Sequence, residues 1–221
     1  MNIILGGTHG LGAEIAAQLQ QAGEQTFVTG RSYDSAKHGV GAKFDHTKPE
    51  DAQAVQTQLD TLLANEKSVN LFWCAGMAYK GDFAEQTTVQ EMLEVNLTGP
   101  MLLVQHLWKQ MLAKDALCKF VVVSSTSGIK ARAEEAVYAA TKHAQAGFTR
   151  SLGLESERLG SKIHVALFLP GGMQTQFWDT MGKPDVYDEF LDPKKVAQRI
   201  LERTSAQTAP YYEETIERGS L

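Results

Sequence analysis

The sequence predicts one α/β domain of the doubly wound type, in which helices cover both faces of a mostly parallel, seven-stranded sheet. Three features of the 221-residue chain lead to this prediction. Strand patterns alternate with helix patterns along the whole chain, the strands are apolar throughout, and a glycine-rich loop joins the first strand to the first helix. A chain of this length buries a sizeable core and needs no disulfide bond to fold.

The first half of the chain contains four of the predicted strands. Residues 1–5 form the first, and Leu11, Ile15 and Leu19 then recur at the spacing of one helix face until Gly23 ends the helix. The remaining elements of this half are strands at residues 26–29 and 43–45, a helix that begins near Pro49, and a strand at residues 69–74.

The second half continues the alternation and adds three strands. No linker or internal repeat interrupts the pattern, so we predict a single domain over residues 1–221. The elements of this half are helices at residues 87–113, 137–159 and 193–203 and strands at residues 120–124, 163–169 and 211–217.

Composition argues against several classes of partner. The net charge is -5 and no basic run occurs, so we expect no nucleic-acid binding. No apolar stretch approaches the roughly 18 residues of a membrane span, and an apolar strand begins at Met1 without room for a signal peptide. We therefore expect a cytoplasmic protein without a membrane partner. Cys74 and Cys118 lack Cys-x-x-Cys spacing and a nearby histidine cluster, which predicts reduced, buried thiols and no metal site.

The loop after the first strand carries Gly6, Gly10 and Gly12 in the spacing Gly-x-x-x-Gly-x-Gly. Glycines between a strand and a helix permit a tight turn and let a pyrophosphate approach the helix N-terminus, which attracts anions. An ordinary glycine-rich turn is the alternative. The strand-to-helix context favours a dinucleotide-binding loop.

Two Tyr-x-x-x-Lys pairs occur, and their spacing alone does not distinguish them. Tyr138 and Lys142 share one face of a predicted helix that follows the strand at residues 120–124, and the carboxyl ends of such strands are where α/β sheets bind ligands. Tyr33 and Lys37 lie in a polar loop without helical periodicity. We therefore assign the reactive pair to Tyr138 and Lys142.

Ser125 and Asn96 are two further candidates for the reactive site. Ser125 ends the strand before Tyr138, where its hydroxyl can bond a substrate carbonyl, and a simple turn residue is the alternative. Asn96 lies inside a predicted helix, and Pro100 lacks the N–H that would bond its carbonyl. We expect ordered water to donate to this carbonyl in a proton relay next to Lys142. The alternative is a kinked helix with a solvated asparagine.

Taken together, these residues resemble the short-chain dehydrogenase/reductase family, and the resemblance covers essentially the whole chain. Ala75-Gly76 is similar to the end of the family's Asn-Asn-Ala-Gly motif, and the segment from Pro170 to Thr175 is similar to its Pro-Gly segment. The resemblance implies a Rossmann domain that interconverts a carbonyl and an alcohol with NAD(P)(H). It also implies a homodimer or homotetramer, in which the helix at residues 137–159 forms a subunit contact, although its apolar positions can equally face its own sheet.

The resemblance assigns roles to the reactive residues. In carbonyl reduction Tyr138 is the general acid, and Lys142 lowers its pKa and holds the nicotinamide ribose. Ser125 polarises the carbonyl, and Asn96 anchors the relay water. A free phenol has a pKa of about 10, and an adjacent ammonium is expected to bring it closer to neutrality. The residues expected to bind the cofactor are Gly6, Thr8, His9, Gly10, Leu11, Gly12, Arg31, Ser32, Asp45, Cys74, Ala75, Gly76, Tyr138, Lys142, Pro170, Gly171, Met173 and Thr175.

Two positions depart from the family pattern. Leu5 stands where the family usually has a threonine before the first loop glycine, and Trp73-Cys74 replaces both asparagines before Ala75. Those asparagines normally brace the strands around the adenosine pocket. We therefore expect the local packing to differ here, while the catalytic set is complete.

The second strand bears on the choice between NADPH and NADH. No acidic residue occurs from Thr26 to Tyr33, whereas an NAD site usually places a carboxylate there to hold the ribose hydroxyls. Arg31 can instead meet a 2′-phosphate, with a weaker contact from His9. As in family members, Asp45 is expected to hold the adenine amino group. We predict NADP(H) as the preferred cofactor and NAD(H) as a second one, and a solvated Arg31 is the alternative.

Residues 176–191 are rich in aromatic side chains and also contain Gly182, Pro184 and five charged residues. This composition predicts an amphipathic lid over the nicotinamide, and hence a small substrate with a largely apolar body. Met77 and Tyr79 can extend the pocket wall or pack in the core. A static surface helix or a subunit contact is the alternative for the lid. Its aromatic residues are Phe177, Trp178, Tyr187 and Phe190.

An oxidoreductase that acts on a small carbonyl compound or alcohol is the function that this sequence favours. The second hypothesis is a cofactor-sensing protein that keeps the fold and the glycine loop without turnover, since a fold alone does not establish chemistry. Such a protein would be expected to lose Tyr138 or Lys142, and both are present.

Overall fold

The computed structural model describes residues 1–221, with the side chain of residue 180 left out. Seven strands form one sheet: β1 (Asn2–Leu5), β2 (Thr26–Gly30), β3 (Gly41–Lys43), β4 (Asn70–Trp73), β5 (Cys118–Val123), β6 (Ile163–Pro170) and β7 (Tyr211–Ile216). Their order is β3-β2-β1-β4-β5-β6-β7, and every neighbouring pair is parallel. The predicted doubly wound α/β fold is confirmed, with a sheet that is parallel throughout.

Helices cover both faces of this sheet. They are α1 (Gly10–Gln21), α2 (Ser35–His38), α3 (Pro49–Leu63), α4 (Val89–Leu93), α5 (Gly99–Leu112), α6 (Ala136–Arg158), α7 (Trp178–Met181) and α8 (Pro193–Ala206). Helices α1 and α8 pack together on one face, and α3, α5 and α6 cover the other. Within the described part of the chain, no helix combines the length and the apolar character that crossing a membrane requires.

Adjacent residues of the central strand point to opposite faces, so each face has its own core. Ile3 belongs to the cluster that includes Leu59 of α3 and Leu107 of α5. Ile4, the next residue, belongs to the cluster that includes Ile15 of α1. Two apolar layers therefore hold the strand ends rigidly in place, and the cleft described below opens at those ends.

Most predicted elements lie within a few residues of their predicted positions. Lys37, which was expected in a loop, lies in the short helix α2, and two predicted elements differ. Strand β3 ends at Lys43, two residues before the predicted end. The long helix expected at residues 87–113 consists instead of α4, a π-helical turn (Glu94–Thr98) and α5. Pro100 explains the turn, because its missing N–H removes the hydrogen bond that would close an α-helical turn on Asn96.

Candidate active site

A cleft of about 620 Å³ opens at the carboxyl ends of β1, β4, β5 and β6, beside the point where the strand order reverses. Parallel α/β sheets bind ligands at this position, and the volume is in the range of small-molecule sites. Of the residues predicted to react or to bind cofactor, all except Asp45 and Asn96 line this cleft. The predicted residues that do line the cleft are Gly6, Thr8, His9, Gly10, Leu11, Gly12, Arg31, Ser32, Cys74, Ala75, Gly76, Ser125, Tyr138, Lys142, Pro170, Gly171, Met173 and Thr175.

The glycine loop leaves no room for side chains at two of its positions. Gly6 has φ +79°, and a Cβ there would lie 2.6 Å from the Ala75 Cα. A Cβ at Gly12 would lie 2.2 Å from the Gly6 carbonyl oxygen. The amides of Gly6 and Gly7 donate to the Thr29 carbonyl at 3.1 and 2.9 Å and so hold the loop on β2. The first turn of α1 contains no acidic residue, so its positive end can attract an anion such as a pyrophosphate.

Ser125, Tyr138 and Lys142 lie together on one wall of the cleft, which we call the reactive wall. Ser125 follows β5, and its hydroxyl is close enough to the Tyr138 phenol to lower the pKa of that phenol. Its Oγ also accepts from the Ser127 amide at 3.1 Å, so the turn role considered as an alternative is present as well. Tyr138 and Lys142 are buried on the same face of α6, and the ammonium lies 5.7 Å from the centroid of the tyrosine ring.

Burial controls the protonation of both groups on α6. It raises the pKa of the Tyr138 phenol to about 12, and the nearby Ser125 hydroxyl offsets only part of this rise. It lowers the pKa of the Lys142 ammonium to about 8. The pKa of the phenol is therefore shifted in the direction opposite to the expected one. The reason is burial, which disfavours the charged phenolate. The Lys142 Nζ donates to Gln145 Oε1 at 3.0 Å and to the Val123 carbonyl at 3.5 Å.

Asn96 lies behind the reactive wall. Its side chain is fully buried, accepts the Met77 amide at 2.7 Å, and donates to the Met77 carbonyl at 2.9 Å and to Thr141 Oγ1 at 3.0 Å. The alternative of a solvated asparagine is therefore wrong. The Asn96 carbonyl accepts from Gln145 Nε2 at 2.9 Å. A side-chain amide from α6 thus occupies the donor position for which water was expected.

The other end of the cleft has a polar rim. Ser32 Oγ lies 3.1 Å from His9 Nδ1 and 3.3 Å from Thr8 Oγ1. Arg31, next to them, is exposed and its Nη1 lies 3.2 Å from Glu91 Oε1. Hydroxyl, imidazole and guanidinium groups are donors to phosphate, so this rim has the composition of a phosphate site.

Asp45 does not line the cleft, in contrast to the expectation that it binds adenine. Its Oδ1 accepts both the amide of Thr47 at 3.1 Å and the hydroxyl of Thr47 at 2.8 Å, which commits the carboxylate to a local turn. The residues on either side of it line the cleft instead, and the rings of Phe44 and His46 lie 4.1 Å apart. Burial lowers the pKa of His46 to about 4, so this imidazole is neutral at physiological pH.

Packing accommodates the unusual Trp73-Cys74 pair. Trp73 is fully buried and meets Phe148 edge-on, with ring centroids 6.0 Å apart. The Cys74 amide donates to the Leu5 carbonyl at 2.9 Å, so β1 and β4 stay paired up to the cleft. Burial raises the pKa of the Cys74 thiol to about 12. Since the thiolate is the reactive form, this cysteine is unreactive at neutral pH.

Residues 176–191 pass over one side of the cleft and are tied to the chain after β6. The Leu191 amide donates to the Gly172 carbonyl, and the Gln174 amide donates to the Leu191 carbonyl, both at 2.9 Å. Between these ties, the segment contains α7 and a 3-10 turn (Tyr187–Glu189).

Aromatic side chains of this segment contact the reactive wall. The Phe177 and Tyr138 ring centroids lie 5.7 Å apart. Of the two alternatives given for Met77 and Tyr79, the structure supports packing, because both contact the small apolar cluster that contains Tyr138 and neither lines the cleft. Three of the four aromatic residues of the segment line it: Phe177, Trp178 and Phe190.

Three charged residues of the cleft were not predicted from the sequence. Arg132 and Glu135 lie between Ser125 and Tyr138 in the sequence. Because both flanking residues were predicted to lie in the site, this position could have indicated that Arg132 and Glu135 lie near it. Arg218, after β7, enters the cleft only because the last strand pairs with β6, so no local pattern identifies it.

Residues 1–185 match the family model of the short chain dehydrogenases, which spans the glycine loop and the reactive wall. This chain belongs to the short-chain dehydrogenase family. It is therefore an oxidoreductase of the class that interconverts CH–OH and C=O groups with NAD(P), as the resemblance implied. The described residues contain no group of three or more His, Cys, Asp or Glu side chains that could hold a metal ion.

Individual relatives are similar over most of their length. A 3-oxoacyl-[acyl-carrier-protein] reductase of Aquifex aeolicus is 28% identical over 226 residues, which cover 91% of this chain and 88% of the relative. The mouse protein of the same description is 28% identical over 183 residues, which cover 78% of this chain and 75% of the relative.

Solved structures show the same fold. A 3-ketoacyl-(acyl-carrier-protein) reductase of Brucella melitensis complexed with NADH superposes with a TM-score of 0.82 at 20% identity, covering 99% of this chain and 97% of that one. An actinorhodin polyketide ketoreductase variant with NADPH gives a TM-score of 0.80 at 23% identity, covering 99% and 96%. These neighbours include one complex with each reduced cofactor.

Proposed function

We propose that this protein reduces the carbonyl group of a small, largely apolar substrate with NADPH as preferred cofactor, and that it also catalyses the reverse oxidation. The observation that carries this proposal is the reactive wall. The Ser125 hydroxyl and the Tyr138 phenol line the same cleft at the end of β5, and Lys142 lies one helical turn after Tyr138, with its ammonium 5.7 Å from the tyrosine ring centroid. Aromatic rings flank this wall and offer an apolar surface to a substrate.

In the reductive direction the substrate oxygen sits between Ser125 and Tyr138. Ser125 donates a hydrogen bond that polarises the carbonyl. Tyr138 is fully protonated at neutral pH, because burial raises its pKa to about 12, and it donates its proton as the alcohol forms. Lys142 supplies a positive charge that stabilises the resulting phenolate. The nicotinamide, when bound, supplies the hydride.

The opposite side of the cleft suits a dinucleotide. The positive end of α1 and the loop around Gly6 would hold the pyrophosphate, because no Cβ blocks its approach. Lys142 and Thr175 would hold the nicotinamide half, and both line the same cleft as the loop.

The polar rim supports the preference for NADPH. Arg31 forms an exposed ion pair with Glu91, in which the two side chains are 53% and 40% exposed. Exposed pairs of this kind contribute about 1 kcal/mol or less, so a 2′-phosphate competes successfully for the guanidinium. Ser32 and His9 stand beside Arg31 as further donors.

Steady-state kinetics with a panel of ketones and aldehydes, using NADPH and NADH in parallel, test this proposal. We expect kcat/KM to be at least about 10-fold higher with NADPH, and Arg31→Ala to remove most of the difference by weakening NADPH alone. Glu91→Gln releases Arg31 and should preserve or increase the preference. Lys67→Ala, which removes an exposed cation before β4 and outside the cleft, is the control. Equal constants for both cofactors would reject the NADP(H) assignment, and no turnover of any carbonyl would reject the reductase.

We infer that residues 176–191 act as a lid. Three of their four aromatic residues line the cleft. Besides the backbone bonds at Gly172 and Leu191, few polar contacts hold the segment, among them Trp178 Nε1 to the Met173 carbonyl and an exposed ion pair of Glu189 with Arg218, and we expect these to break when the segment opens. Limited proteolysis tests this, because NADPH plus an apolar ketone should protect the segment. Cleavage that both ligands leave unchanged would argue for a static surface element.

We infer further that the chain forms homodimers or homotetramers through α5 and α6. One face of α6 packs on its own sheet, but Leu154 on the same helix is 70% exposed and Leu102 on α5 is 56% exposed. Sedimentation velocity of the wild type and of Leu154→Asp checks this. A wild-type monomer at micromolar concentration would rule it out.

A further inference from the structure

Gln145 is a fully buried polar residue that lies three residues after Lys142 on α6. Its Oε1 accepts from Lys142 Nζ at 3.0 Å, and its Nε2 donates to the Asn96 carbonyl at 2.9 Å. The reverse orientation of the amide would set N–H groups against the ammonium and oxygen against oxygen. The two partners therefore determine how the amide is oriented.

The Asn96 carbonyl needs a donor from outside its own helix. Pro100 has no N–H to offer, and the chain passes this point as a π-helical turn that leaves the carbonyl inside the protein. A buried carbonyl without a donor costs free energy, and Gln145 removes that cost. One side chain thus joins the turn that carries Asn96 to the helix that carries Lys142.

The Lys142 ammonium depends on the same amide. It has three N–H groups, of which one donates to Gln145 and one to the Val123 carbonyl, so the third can face the cleft. Cys74 at the end of β4 and Tyr138 one turn earlier are the titratable groups that face it. Among the described residues no carboxylate forms an ion pair with Lys142, so the Gln145 oxygen is its closest compensating dipole.

We propose that Gln145 is a positioning residue, which fixes the Lys142 ammonium for the reaction by tying it to the π-helical turn at Asn96. The proposal rests on the function of Lys142 proposed above. Water can pass a proton on by accepting one and releasing another, whereas an amide holds its protons. The link between Asn96 and Lys142 is therefore a fixed dipole that orients the ammonium.

Two substitutions separate the two bonds of Gln145. Gln145→Leu keeps the bulk and removes both bonds, and we expect kcat to fall by about 10-fold to 10²-fold, the scale of loss that a misplaced catalytic group causes. The alkaline limb of the kcat profile should move to lower pH, because a buried ammonium without its acceptor loses its proton more easily. Gln145→Glu places a carboxylate beside the ammonium, so the same limb should move to higher pH.

Gln207→Leu is the matched control. Gln207 is also buried, and its Nε2 donates to the carbonyls of Val165 and Ala209 at 3.0 and 2.9 Å, but it lies beyond the end of α8 and outside the cleft. This variant should lose stability by a similar mechanism and keep the wild-type pH profile.

A second readout needs no substrate. The folded-state pKa of Lys142 lies below its unfolded value, so its charge destabilises the fold at low pH and this penalty disappears as the pH rises. Removing the Gln145 acceptor enlarges the penalty. In urea unfolding, the loss of unfolding free energy of Gln145→Leu relative to the wild type should therefore be largest near pH 6 and become smaller towards pH 9.5. The corresponding loss for Gln207→Leu should stay constant.

The outcomes of this experiment are distinguishable. If Gln145→Leu and Gln207→Leu behave alike in both the kcat profile and the pH dependence of unfolding, Gln145 has only a structural role and the inference is wrong. If no carbonyl is turned over, the proposed function is wrong, and the unfolding data alone still decide whether Gln145 supports the ammonium. Shifts of the alkaline limb of the kcat profile to lower pH in Gln145→Leu and to higher pH in Gln145→Glu would support the inference.

Discussion

The two Tyr-x-x-x-Lys pairs of this chain share a spacing and differ in every other respect. Tyr138 and Lys142 are buried on one face of a 23-residue helix, with the ammonium 5.7 Å from the ring centroid. Tyr33 precedes a helix of four residues, and Lys37 is exposed within that helix. The same spacing therefore places a phenol and an ammonium in two unrelated environments.

The comparison shows that the same spacing occurs in two environments, of which only one lies in a cleft. The Tyr33 phenol donates to the Gly39 carbonyl at 2.6 Å and so stabilises a surface loop. Its proton is held in this hydrogen bond and is not directed towards a substrate. The Tyr138 phenol instead lines a cleft together with Ser125. Burial raises the pKa of Tyr138 and lowers the pKa of Lys142, so it favours the uncharged form of both groups. Perturbed titratable groups in a cleft are typical of functional sites.

The largest expected effect separates the two phenols directly. Tyr138→Phe removes the proton donor and should lower kcat for carbonyl reduction by about 10² to 10⁴-fold, the usual contribution of a general acid. Tyr33→Phe, the matched variant, should leave kcat unchanged. Steady-state kinetics with the best ketone of the panel measure both. Near-parental activity of Tyr138→Phe would overturn the assignment of the reactive pair.

The second effect separates the two ammonium groups through stability. Burial lowers the pKa of Lys142 from 10.5 to about 8, so charging it costs up to about 3 kcal/mol below pH 8, and the cost vanishes as the pH rises to 10.5. Lys142→Met should therefore raise the free energy of unfolding at pH 7, less so at pH 10, while it abolishes activity. Lys37→Met should change neither quantity. Urea unfolding at the two pH values checks this, and a Lys142→Met protein that is less stable at pH 7 would contradict it.

The smallest effect concerns the ring beside each tyrosine. Phe177 stacks near Tyr138 with centroids 5.7 Å apart, and His38 lies 5.9 Å from the Tyr33 ring. Phe177→Ala should raise KM for an apolar ketone by about 10-fold, because it removes one apolar side chain from the substrate surface, with a smaller change in kcat. His38→Ala should leave both constants unchanged. An equal effect of the two variants, or none from Phe177→Ala, would remove the ring from substrate binding.

The fold was predictable because its signals are local. Apolar runs and helical periodicity locate all seven strands and most of the helices, whereas the short edge strand β3 ends two residues before its predicted end and a π-helical turn interrupts the predicted long helix. An edge strand of three residues pairs on one side alone, so its ends depend on turn geometry more than on sequence pattern. The placement of Ser125, Tyr138 and Lys142 in one cleft also followed, because strand ends of a parallel sheet meet at one edge.

The sequence by itself determined the fold, the family and the fact that Ser125, Tyr138 and Lys142 line one cleft, since each depends on short-range patterns of glycine, apolar and helical residues. The tertiary structure decided what those residues touch. Gln145 and Asn96 are 49 positions apart, and Arg218 reaches the cleft only through the pairing of β7 with β6. Asp45 is committed to its own turn for a local reason that only atomic distances reveal. Contacts between distant segments depend on how helices pack on the sheet, and packing is a property of the whole core that no short stretch of sequence encodes.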